Sequence, residues 1–155
     1  MTQAAMIAAI YVVITYVGAA FSFGEVQVRI SEALCVLPIF TLSAVPGVTV
    51  GCFIANILCG GTVYDIVFGT LATLIAAIIT YFIKNPLLSS IPTIVSNAVI
   101  VPIVLIMSGV GGVNMFPYFA LTVGLGEVIS CGILGTILAV YMKKHPRVSQ
   151  ALFKA

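Results

Sequence analysis

The chain has 155 residues, 62% of them hydrophobic and only 6% charged, with a formal net charge of +2 and a mean hydropathy of +1.30. That excludes an ordinary soluble domain. At roughly 20 residues per membrane span the length holds about six short spans, or five with longer loops, as a single domain over residues 1–155. No room is left for a soluble catalytic or nucleotide-binding module, and so small a positive charge does not point to nucleic acid.

Hydropathy and the Gly and Pro punctuation predict six helices. The first covers residues 4–20. It lacks a basic lead-in or a secretory cleavage pattern, and is expected to be a retained helix rather than a signal peptide. Ala4, Ala5, Ala8 and Ala9 form two overlaid small-xxx-small pairs on it, suited to close internal packing or to docking of a partner helix. A polar break follows at residues 21–27, then a second apolar run at 28–42. Residues 43–47 read as a turn, and 48–58 as a short third helix. After Gly60 and Gly61 the fourth helix covers 63–83, and Pro86 marks a loop at 84–90. The fifth spans 91–107 with Pro102 inside, and the sixth 116–142. Convincing internal repeats are missing, so an inverted-repeat carrier gains no support.

Basic loop residues favour the cytoplasm. Lys143, Lys144, Arg147 and Lys154 place the C-terminus inside, and a six-span count puts Lys84 and the N-terminus on that side too. A five-span count would separate Lys84 from the tail. The expected fold is therefore an all-α integral membrane bundle of six transmembrane helices with both termini cytoplasmic.

Ionisable groups inside a membrane are costly and mark function. Glu25, Gln27, Arg29 and Glu32 fall at the outer loop and outer end of the second helix. Arg29 and Glu32 are three apart, hence neighbours on one helical face, either as a self-neutralising pair or with one arm holding the other toward a ligand. Asn56 and Asp65 lie near the outer ends of helices three and four. Asp65 also suits a cap for helix four. Glu127 sits about 16 Å from the outer end of helix six, and Asn97 about six residues into helix five from inside. Together these groups could line one cavity open to the outside. Glu127 is suited to a paired N–H edge, because a carboxylate accepts two parallel hydrogen bonds, and Asn97 and Asn56 to the edges of a heterocycle. Interhelical bonding accounts for the asparagines equally well. Phe21, Phe23 and Tyr64 are interface-belt aromatics or a stacking wall for a flat ligand.

Enzyme chemistry finds no foothold. His145 is the single histidine, and the sequence has neither a Gly-x-Ser-x-Gly motif nor a phosphate-binding loop. Cys35, Cys52, Cys59 and Cys131 lack metal-ligand spacing and read as free, small, buried hydrophobes. No metal or cofactor is expected.

The run Val26-Gln27-Val28-Arg29-Ile30-Ser31-Glu32-Ala33-Leu34, with Leu37-Pro38, Gly51-Cys52-Phe53-Ile54-Ala55-Asn56, Asp65-Ile66-Val67-Phe68-Gly69-Thr70-Leu71-Ala72-Thr73 and Gly124-Leu125-Gly126-Glu127, resembles the QueT family. These are substrate-binding (S) components of energy-coupling factor (ECF) transporters, assigned to queuosine precursors. The resemblance covers nearly the whole chain in order. It implies a multi-pass protein of a prokaryotic cell membrane that captures a 7-deazaguanine such as preQ1 or queuine from outside. Its partners would be an ECF transmembrane coupling protein and two ABC ATPases, which use the ATP. The alanines spaced four apart on helix one would face the coupling protein, and residues 20–27 would cover the pocket. Glu127 would take the paired donors, Asn97 and Asn56 the edges, and Glu32 or Asp65 the amine, with Arg29 orienting Glu32. Gln27, Phe23 and Tyr64 would complete the wall. The competing readings are a standalone proton-coupled permease for a nucleobase-like or other vitamin-like solute, with Glu127 titrating, and a structural or assembly protein of the membrane.

Overall fold

A chain this apolar must satisfy its own backbone hydrogen bonds, and helices do so within each segment. The computed structural model describes residues 2–18 and 28–145, which hold six helices and no strand. In chain order these are α1 (Thr2–Val17), α2 (Ile30–Ile39), α3 (Ala44–Leu58), α4 (Asp65–Phe82), α5 (Ile91–Met107) and α6 (Val113–Lys144). Two of them, α4 and α6, are long and apolar enough to cross a membrane, and the others are shorter apolar helices of 10–17 residues. The fifth helix falls where the hydropathy placed it, and runs through Pro102.

Two segments depart from expectation. Residues 44–47, read as part of a turn, form the first turn of α3. Pro46 is tolerated there because a first-turn N–H has no intrahelical partner to lose. The second run is wound as a 3₁₀ helix rather than an α-helix, with Pro38 inside it. Proline withholds a donor, and the tighter winding lets ten residues rise about 20 Å instead of about 15 Å.

Contacts between helices fix their directions. Thr15 meets Ser31, so α1 and α2 run antiparallel; Asn56 meets Asp65 and Cys52 meets Gly69, so α3 and α4 do too. Thr62 meets Ser108 and Thr80 meets Ser89, pairing α4 with α5, while Asn97 meets Glu127 and Ser90 meets Thr136, pairing α5 with α6. The chain thus winds up and down. Thr2, Lys84, Lys143 and Lys144 gather at one end of the bundle. The turns at Gly60 (φ 74°) and Gly109 (φ 79°), whose left-handed backbone suits glycine, lie at the other.

The parallel pair α1 and α3 is joined through Gly47 and Gly51, a Gly-x-x-x-Gly pair. A Cβ on Gly51 would stand 2.7 Å from the Tyr11 Cβ, and one on Gly47 2.9 Å from the Ile7 Cβ. Such close approach is how helices associate where lipid is as apolar as leucine. The Ala4 carbonyl and the Ala8 Cα border the same seam, so these two alanines serve internal packing, whereas Ala5 and Ala9 are exposed. On α6, Gly135 lets Val36 and Ala33 of α2 come in, with the Val36 Cγ1 2.9 Å from a built Cβ. Large apolar side chains such as Val17, Val63, Phe82, Leu121 and Ile137 cover the outside.

Candidate binding site

Each of the six helices contributes a polar side chain to the interior. On α1 they are Tyr11 and Thr15, on α2 Ser31 and Glu32, on α3 Asn56, on α4 Thr73, on α5 Asn97 and on α6 Glu127, all buried. A buried polar group without a partner is costly, so where each one finds its hydrogen bonds shows what it is for.

Glu32 is 1% exposed. The Tyr11 hydroxyl donates to its Oε1 at 2.7 Å and the Cys35 thiol to its Oε2 at 3.0 Å. One turn up, the Thr15 hydroxyl donates to the Ser31 Oγ at 2.7 Å, closing a polar seam between α1 and α2. Arg29, in extended backbone just before α2, is also buried, and its charge is within reach of Tyr11, Cys52, Glu32 and Glu127. The sequence put Arg29 and Glu32 at the outer rim. They stand at the start of α2, the end that the sequence assigned to the outside, and both are buried within the bundle, where Glu32 meets Tyr11.

Glu127 is furnished differently. It is 3% exposed, and Asn97 Nδ2 donates to its Oε1 at 2.7 Å. Its Oε2 meets no donor among the described residues. The field of Glu32 reaches it, as does that of Arg29, so two carboxylates and one guanidinium share one buried interior. With all three ionised the cluster carries one net negative charge, which a cation or a proton would balance.

Asn56 holds a third position. Its Nδ2 donates to the Asp65 carbonyl at 3.2 Å and approaches the Cys52 Sγ at 3.6 Å; the Thr73 hydroxyl donates to the Gly69 carbonyl at 3.1 Å and lies 3.3 Å from the same sulfur. These carbonyls flank a π-wound turn, Asp65–Gly69, at the head of α4. The Asn56 Oδ1 is buried and meets no donor among the described residues.

The remaining predicted residues stand apart. The Asp65 carboxylate accepts from the Thr62 N–H (2.9 Å) and the Thr62 hydroxyl (2.7 Å), which is the capping arrangement, and it is only half-buried. Tyr64 is 41% exposed. Gln27 and Phe23 lie outside the described residues. Reasoning from charge missed Tyr11, although Tyr11 and Thr15 are four apart in a mostly apolar helix, which was the available signal. It also read Cys35 and Cys52 as inert; they are free and buried, yet both engage polar partners. Among the described residues no three His, Cys, Asp or Glu side chains are placed to hold a metal. Surface grooves of about 490 Å³ along α6 (Ile133, Ile137, Tyr141, Lys144) and about 260 Å³ between α4 and α5 are mostly apolar and do not include the polar cluster.

Residues 1–144 match the family described as QueT transporter. A curated relative from Lactococcus lactis subsp. cremoris (strain MG1363), described as "Queuosine precursor transporter QueT", is 38% identical over 73 residues, which is 46% of this chain and 43% of that protein. The matched stretch therefore spans less than half of that relative's length. No solved structure matches significantly. An apolar helical bundle whose sequence fits one family over residues 1–144 is a membrane protein, and it belongs to the QueT transporter family.

Proposed function

We propose that this chain is the substrate-binding membrane subunit of an ECF-type ABC importer, capturing a queuosine precursor from outside the cell. It would act as one domain of six spans in a prokaryotic plasma membrane, both termini cytoplasmic, with Lys84, Lys143 and Lys144 at the inner end. The observation that carries this reading is Glu127: a buried carboxylate, anchored through one oxygen by Asn97, whose other oxygen meets no donor among the described residues. A 7-deazaguanine such as preQ1 or queuine presents an N–H and an amino group side by side, which a carboxylate accepts as a pair. Its cationic side-arm amine would offset the net charge of the cluster, in which Arg29 and Glu32 set the field around Glu127. Ala5 and Ala9, on the exposed face of α1, would meet the coupling protein, and two partner ATPases would supply the ATP hydrolysis.

Uptake of labelled preQ1 into proteoliposomes checks this. It is expected only when the coupling protein, the ATPases and ATP are present with this chain. Uptake driven by a proton gradient through this chain alone would replace the reading with that of a proton-coupled permease.

A further inference from the structure

Four buried side-chain oxygens meet no partner among the described residues: the hydroxyls of Thr70 and Thr93, and two acceptor-only atoms, Glu127 Oε2 on α6 and Asn56 Oδ1 on α3. The amide orientation of Asn56 is not free. Its Nδ2 donates to the Asp65 carbonyl, and a flipped amide would set oxygen against oxygen, so Oδ1 is the atom left over. An orphaned buried acceptor costs about 1–3 kcal/mol, and lipid-embedded interiors hold little water to relieve it.

The two acceptors sit at different depths. Thr62 and Ser108 touch at 3.0 Å and mark a common level at the end of the bundle that holds Gly60 and Gly109. The Asn56 amide nitrogen lies 3.3 Å from a Cβ built on Gly69, seven residues beyond Thr62, or about 10 Å in; Asn97, which holds Glu127, is eleven residues from Ser108, or about 16 Å in. The separation of roughly 6 Å along the axis is of the order of a fused bicyclic base carrying a short arm.

We propose that Asn56 is a specificity-determining residue that accepts a hydrogen bond from the side arm of the ligand, whose ring edge is held deeper by Glu127. This rests on the precursor-binding reading above and adds an orientation to it: ring down, arm toward the Gly60 end. A ligand with donors at both poles satisfies both acceptors, and one lacking the arm donor leaves Asn56 Oδ1 orphaned.

Titration calorimetry of the purified full chain tests it, with 7-aminomethyl-7-deazaguanine and the armless 7-deazaguanine as probes. The wild type is expected to favour the aminomethyl compound by roughly tenfold or more. Asn56→Leu is expected to abolish that preference through weaker binding of the aminomethyl compound alone. Asn56→Asp, which keeps an acceptor but loses the anchoring amide donor, is expected to retain it. Equal loss for both probes in Asn56→Leu, an unchanged preference there, or loss of the preference in Asn56→Asp overturns the proposal while leaving precursor binding intact. Failure of the wild type to bind either probe removes the precursor-binding reading, and this proposal with it.

Discussion

Glu32 and Glu127 are the same residue type in the same interior, and they are furnished in opposite ways. Glu32 has a donor on each oxygen, one from the Tyr11 hydroxyl and one from the Cys35 thiol. Glu127 has a donor from Asn97 on one oxygen and none on the other among the described residues. Leaving a buried carboxylate half-satisfied works against stability, so a fold that completes one acid and not its neighbour separates two jobs. Glu32 belongs to the scaffold and sets the field. In the proposed reading, Glu127 is the group that receives the ligand.

The largest effect that could break this contrast is on ligand binding. Glu127→Gln keeps an oxygen for Asn97 but turns a donor toward the ligand's own donors. Affinity for preQ1 is expected to fall about 100-fold, near the 3 kcal/mol of a hydrogen bond to a charged group, while the ligand-free melting temperature moves little. A matched drop in both quantities would erase the distinction. Glu32→Gln should act the other way round. It confronts either Tyr11 or Cys35 with an N–H in place of an acceptor, and should lower the stability of the ligand-free protein by about 2 kcal/mol, read from denaturant unfolding in detergent. Tyr11→Phe sharpens the comparison at the smallest scale. The ring still fills its place against Gly51, and only the hydroxyl is lost, so about 1 kcal/mol of stability should go. A Tyr11→Phe protein as unstable as Glu32→Gln would mean that the phenol, not the carboxylate, organises the seam.

Much of this arrangement was legible in the sequence. Long apolar runs between Gly and Pro punctuation located α4, α5 and α6, because hydropathy alone decides where lipid-facing helices run. Counting residues inward from opposite ends brought Asn97 and Glu127 to similar depth, and they do touch. What a single strand of sequence could not show was which face meets what. Of the four alanines of α1 the resemblance pointed first to Ala4 and Ala8 for docking, and the notch at Gly47 and Gly51 turns that pair to the interior. The 3₁₀ winding of α2 depends on tertiary support beyond Pro38, and hydropathy does not report it. Asp65 was read equally as cap or ligand group; its bonds to Thr62 favour the cap, which is decided by local geometry three residues away.

The π-wound stretch of α6, Val128–Gly135, begins one residue after Glu127 and ends at the glycine that admits Val36. In regular α-helix, residues eight apart are rotated by about 80° from one another; accommodating one extra residue brings them back to within about 20°. That phase correction sets the rotation between Glu127, which meets Asn97 of α5, and Gly135, which admits Val36 of α2, on a single helix. The helix therefore carries a spare residue. Shortening this stretch by one would let it relax to ordinary α-winding with both contacts still aligned, whereas lengthening it by one would turn the carboxylate and the glycine away from each other.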